Sequence, residues 1–202
     1  EIFSMEELKN WYQKLLDDYH KWISCSLSWK KERNASMKDL QFPFPYREGQ
    51  REIVSGVYHT VSSKKTLFVQ APTGVGKTMS AIFPSVRAIG EGKGETLFYL
   101  TAKTITGTVA WEAFHTLREN GLKFKVTAIT AKEKLCFLDS PECTPEKCPY
   151  AKGHFDRVND AVYELWTTEE VYSREVIRAH AEKWQVCPFE MCLDLSVWVD
   201  GV

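Results

Sequence analysis

Residues 70–78 read Gln-Ala-Pro-Thr-Gly-Val-Gly-Lys-Thr and directly follow the apolar run 66–69. A short strand that runs into a glycine-bearing turn and then a helix makes an anion cradle. Successive backbone N–H groups converge on the anion, and the positive end of the helix dipole faces it. Here the N–H groups of Thr73, Gly74, Val75, Gly76 and Lys77 would wrap a triphosphate. Lys77 would neutralise its outer phosphates, and the Thr78 hydroxyl would hold Mg²⁺. Lys77 and Thr78 are therefore candidate catalytic residues as well as nucleotide ligands. The first glycine of the strict G-x-x-x-x-G-K-[ST] pattern is Ala71 in this chain. Alanine keeps φ negative there, while Gly74 and Gly76 give the backbone freedom where it approaches phosphate.

Cysteine is the second reactive set. The chain has six, five of them between residues 136 and 192. Cys136, Cys143, Cys148 and Cys187 are separated by six, four and 38 residues, and Cys192 follows after four more. Cys148-Pro149-Tyr150 and Cys187-Pro188-Phe189 repeat one Cys-Pro-aromatic tripeptide. Structural zinc favours cysteine pairs with two to four residues between them, a limit that Cys143/Cys148 and Cys187/Cys192 just meet. A four-iron cluster tolerates wider and less regular spacing. Buried free thiols are the third reading, since cysteine is among the most buried residue types. Spacing alone leaves all three open.

The elements that must position these groups follow from periodicity. Ser4 with Glu7 forms a capping box, and apolar residues from Leu8 to Leu27 recur at helical steps, predicting a helix over 5–31. Pro43 and Pro45 mark residues 34–45 as a connector. Helices are predicted over 48–61, 77–89 and 104–119, and strands over 66–70, 96–100 and 124–129. Strand and helix alternating in this way imply an α/β fold: a parallel sheet with right-handed crossovers, the phosphate loop at its carboxyl edge. The pattern breaks at Lys132. A cysteine-bearing insertion with helices over 153–165 and 168–183 follows, and the apolar run 193–199 is expected to return to the sheet. The domains are thus 1–41, an amino-terminal helix and linker; 42–131, the first part of a P-loop domain; 132–192, the insertion; and 193–202, the return strand.

Composition sets bounds. The chain has 202 residues, 44% of them hydrophobic, and a formal net charge of −1. Nucleic-acid contact must then come from a local basic surface rather than bulk charge, with Lys93, Lys103, Lys123, Lys125, Lys132 and Lys134 as candidates. No apolar run is long enough to span a bilayer and no signal peptide opens the chain, so a cytoplasmic, bacterial-type location is expected.

A phosphate loop, a strand ending in Leu100-Thr101-Ala102-Lys103-Thr104 and a four-cysteine insertion together resemble the iron–sulfur helicases of superfamily 2, the XPD/DinG group. The likeness covers about residues 42–202. It implies a RecA-like motor domain and an ATP-dependent 5′→3′ DNA helicase acting in repair or replication. It also implies that Arg47 and Gln50 lie near the nucleotide base, Gln50 being the contact, and that Thr101, Lys103 and Thr104 touch the backbone of single-stranded or forked DNA. By the same likeness Cys136, Cys143, Cys148 and Cys187 hold a [4Fe–4S] cluster, with Cys192 the rival for the fourth place and Cys25 spare. ATP, Mg²⁺ and the cluster are the cofactors so implied. The family's acidic box is expected just past the apolar run at Trp198, where only Asp200 is acidic. This chain is accordingly expected to be the amino-terminal part of a motor that binds nucleotide weakly and does not hydrolyse ATP at a helicase rate, its second motor domain lying elsewhere in the polypeptide. Aromatic residues of the insertion, Phe137, Tyr150 and Phe155, are either base-stacking groups or ordinary core packing.

Two other classes fit parts of the sequence. A P-loop kinase or transferase with a structural zinc domain would be colourless and carry a substrate pocket beside the loop. A non-catalytic nucleic-acid-binding module would carry a vestigial loop with no affinity for ATP.

Overall fold

A computed structural model describes residues 3–102, 104–140 and 142–202. Helices dominate the described residues: α1 Met5–Lys38, α2 Gln50–Ser62, α3 Lys77–Gly90, α4 Thr104–Glu119, α5 Lys132–Leu135, α6 His154–Thr168, α7 Arg174–Trp184 and α8 Pro188–Ser196. The strands named are β1 Val126–Thr127 and β2 Val171–Tyr172, which pair in parallel.

The expected α/β architecture is therefore corrected. The apolar segments at 66–70 and 96–100 form no named strand; Phe68 is 93% exposed and Leu100 87%, while Leu97 and Tyr99 are half-buried against the first core. An apolar, β-branched run becomes a strand only when a neighbour takes up its backbone groups. Beside β1 and β2 there are two isolated parallel bridges, Leu97 to Gly201 and Val126 to Gly201. They bring residues 97, 201, 126 and 171 side by side, a narrow ribbon in place of the predicted sheet. The run 193–199 does not return as a strand. Its first four residues end α8, which starts with Pro188 in the first turn, where a missing N–H costs nothing, and residues 197–199 turn away after it. Its place beside Leu97 and Val126 is taken by the residues after it, with Leu97 N–H bonded to the Asp200 carbonyl at 2.8 Å and Thr127 N–H to that of Gly201 at 3.1 Å.

Two apolar cores flank the ribbon. The first gathers Ile82, Val86, Phe114, Leu117 and Phe124 from α3, α4 and the approach to β1. The second gathers Leu165, Trp166, Tyr172, Ile177 and Leu195 from α6, β2, α7 and α8. Helix α1 serves both, and this explains why it outruns its predicted end. Met37 is fully buried in the first core, so close to α3 that a Cβ on Gly90 would lie 2.5 Å from that of Met37. Trp22 and Trp29 pack against the second core. The capping box at Ser4 forms as predicted, Ser4 N–H donating to Glu7 Oε2 at 2.7 Å and Glu7 N–H to Ser4 Oγ at 3.2 Å.

One polar hub fastens α1 to the ribbon. The Asp200 carboxylate, 3% exposed, accepts from Arg33 Nη1 at 2.5 Å, Trp29 Nε1 at 2.9 Å and the Lys125 backbone N–H at 2.8 Å. Burial pushes its pKa up, against the opposing pull of Arg33. The only acidic residue near the expected metal box is thus committed to a structural ion pair.

Candidate functional site

The loop between residue 70 and α3 has the backbone that its glycines predict. Gly74 and Gly76 sit at φ 85° and 83°, in the left-handed region, and Ala71 is not among the residues of positive φ. Gly76 is the N-cap of α3 and no side chain caps that end. Lys77 is the first helical residue, so the uncapped N–H groups open toward the loop. The Lys77 ammonium donates to the carbonyls of Ala71 at 3.0 Å and Pro72 at 2.8 Å. It therefore lies inside the curl of the loop, where an entering phosphate would exchange those carbonyls for its own oxygens. Val75 is buried, whereas Thr73 and Gly74 are exposed at the mouth.

Arg47 and Gln50 come to this loop. Gln50 is 4% exposed and its Oε1 accepts the Arg47 backbone N–H at 3.0 Å. A Cβ on Gly76 would stand 2.5 Å from Gln50 Nε2, so the loop packs directly on that amide. The Arg47 guanidinium in turn donates to the Gly74 carbonyl. Sequence reasoning missed Tyr99, whose hydroxyl reaches Thr78 Oγ1 at 3.3 Å. An aromatic in an apolar run carries no signal of that kind.

The expected nucleic-acid contacts are only partly placed. Thr101 is exposed and Thr104 is the first residue of α4, while Lys103 lies outside the described residues. Of the candidate lysines, Lys93 and Lys134 are exposed, and Lys123 pairs with Glu32 at 2.7 Å. Lys125 is removed from the set. It is 4% exposed, donates to the carbonyls of Trp166 and Glu169 at 2.5 and 2.6 Å, and lies over the Trp29 ring. Desolvation lowers its pKa to about 8.

The cysteines divide into two groups. Cys136, Cys143, Cys148 and Cys187 all line one cavity of about 260 Å³, together with Lys132, Phe137, Tyr150, His154 and Phe155. Cys192 lies off that cavity, 1% exposed, with Sγ 3.8 Å from the Ala128 carbonyl. Cys25 is at 2.9 Å from the Tyr163 hydroxyl. Among the described residues no three His, Cys, Asp or Glu side chains are grouped as they would be around a single metal ion.

Several contacts set the cavity's chemistry. Burial raises the Cys187 thiol pKa, opposed by the backbone N–H groups of Glu190 and Phe189 in the first turn of α8. The Lys132 ammonium lies against Cys143, which raises the lysine's pKa. The Leu138 N–H donates to Cys136 Sγ at 3.4 Å. Arg178 holds the backbone there, donating to the carbonyls of Leu135 at 2.6 Å and Cys136 at 2.9 Å. Phe137 and Tyr150 face each other with centroids 4.5 Å apart and form part of the wall; Phe155 is 86% exposed. A wall role therefore accounts for the first two aromatics.

Comparison with curated proteins finds a likeness to a protein of Methanocaldococcus jannaschii named as a probable ATP-dependent helicase. The two are 40% identical over 47 residues, which are 23% of this chain and 7% of that protein. No protein-family model matches the chain, and no solved structure matches it. No helix among the described residues is long and apolar enough to cross a membrane.

Proposed function

We propose that this chain is part of an ATP-dependent 5′→3′ DNA helicase that carries a [4Fe–4S] cluster. The observation that carries the reading is the cavity onto which four cysteines from separate segments converge. Four thiolates around one space of that size suit a cluster, whose corners stand farther apart than the ligands of one zinc ion. In the proposal Cys136, Cys143, Cys148 and Cys187 hold the cluster, which would order the segments it joins. The loop N–H groups, Lys77 and Thr78 bind MgATP, with Gln50 and Arg47 beside it. Thr101, Lys103 and Thr104 contact single-stranded DNA through its phosphates, without reading sequence. The similarity to a helicase supports the ATP and nucleic-acid parts of this reading.

Two measurements test it. Anaerobically purified protein should be yellow-brown and contain four irons per chain; stoichiometric zinc without iron refutes the cluster. In the full-length protein Lys77→Ala should abolish DNA-stimulated ATP hydrolysis and leave the iron content unchanged. Hydrolysis that survives refutes the role of the loop.

A further inference from the structure

His154 lies on the wall of the cysteine cavity and is 4% exposed. It opens α6 directly after Gly153, which is left-handed at φ 65°. Its Nδ1 faces the backbone N–H of Cys187 at 3.2 Å. An amide N–H can only donate, so Nδ1 accepts and carries no proton. In a neutral imidazole the proton then resides on Nε2. That Nε2 is buried and has no hydrogen-bond partner among the described residues. A buried donor without an acceptor is costly, and a bound group that supplies the acceptor is one way a fold comes to keep it.

We propose that His154 is a positioning and tuning residue of the cluster: its Nε2–H donates a hydrogen bond to a sulfur of the cluster or of its thiolates. This rests on the [4Fe–4S] reading above. The tautomer excludes the more obvious role of a fifth ligand, because metal coordination through Nε2 needs the lone pair that the proton occupies. It also ties the histidine to Cys187, since one imidazole ring would join that residue's backbone to the anion its side chain ligates. Hydrogen bonds to cluster sulfurs stabilise the reduced, more negative state and so raise the reduction potential.

The test uses the full-length protein, anaerobically prepared, as wild type, His154→Leu and His154→Gln. Leucine removes the donor; glutamine restores an N–H at comparable reach. Iron content is measured first, and a wild type without iron overturns the cluster reading itself. With four irons present in all three, an EPR-monitored redox titration should place His154→Leu at a more negative potential than wild type, with His154→Gln between them. Equal potentials overturn the proposal while leaving the cluster intact. Pulsed EPR on reduced protein labelled with ¹⁵N-histidine supplies a second readout, independent of how well the leucine variant assembles. A weak nitrogen coupling is expected in wild type. A strong coupling, as from a directly bound nitrogen, or no coupling at all, overturns the hydrogen bond.

Discussion

Replacing Asp200 by Asn should be among the most damaging single changes in this chain, although the position has no part in the chemistry. The carboxylate is buried and meets a buried guanidinium, Arg33, at 2.5 Å, as well as Trp29 Nε1 and the Lys125 N–H. Asparagine keeps an oxygen for one or two donors but leaves the Arg33 cation, 5% exposed, with only the solvent-exposed Glu95 carboxylate at 4.0 Å as counter-charge. Breaking a buried pair by removing one partner costs about 3–5 kcal/mol. Against a typical total of about 5–15 kcal/mol, that is a large fraction of the folded state's margin. Arg33→Met alone should cost less, because two neutral donors still serve the carboxylate. The double variant should cost clearly less than the sum, since the stranded cation is gone. Urea unfolding followed by tryptophan fluorescence measures all three, with Trp29 reporting from the hub itself. A loss below about 1 kcal/mol for Asp200→Asn, with an unchanged denaturant slope, would refute the reasoning.

Lys125 should make stability depend on alkaline pH. Its folded pKa of about 8 lies below the usual 10.5, so between those values the unfolded chain binds more protons and stability rises with pH. The shift of 10.5 to about 8 corresponds to roughly 3 kcal/mol, and Lys125→Met should flatten the rise between pH 8 and 10.5 in paired urea titrations. Gly76→Ala should strain the phosphate loop, because φ is 83° and the new methyl would meet Gln50 Nε2 at 2.5 Å. A loss of about 1–3 kcal/mol is expected, read as a lower Tm together with weaker binding of a fluorescent ATP analogue. A variant of wild-type Tm and affinity would show that the loop relaxes freely there.

Much of the local structure was legible because it is encoded locally. The helix predicted over 77–89 runs Lys77–Gly90, and the one over 104–119 matches α4. The glycines of the loop adopt the left-handed backbone their type suggests. The misreadings concern partners, which periodicity does not name. Residues 66–70 have the composition of a strand yet pair with nothing that makes them one among the described residues. The run 193–199 looked extended, but Met191, Cys192 and Leu195 are buried from α8. The helix predicted over 168–183 starts later: Thr168 ends α6, Ser173 caps α7, and β2 fits between them. For the sites, the cysteines were visible as a set because of their chemistry. His154 was not, since an isolated histidine has no pattern, and its significance arises from one ring contact and one unmet donor.

The bare segment ahead of the phosphate loop also affects how the polypeptide behaves in a test tube. Leu67, Phe68 and Val69 are at least 41% exposed, in an extended stretch with no charge between Thr66 and Gln70. Such a stretch is an adhesive edge: it will zip onto any matching backbone it encounters, including that of another copy. Concentrated preparations of the isolated chain are expected to scatter light well before the helices melt, and a lysine in place of Phe68 should keep them clear.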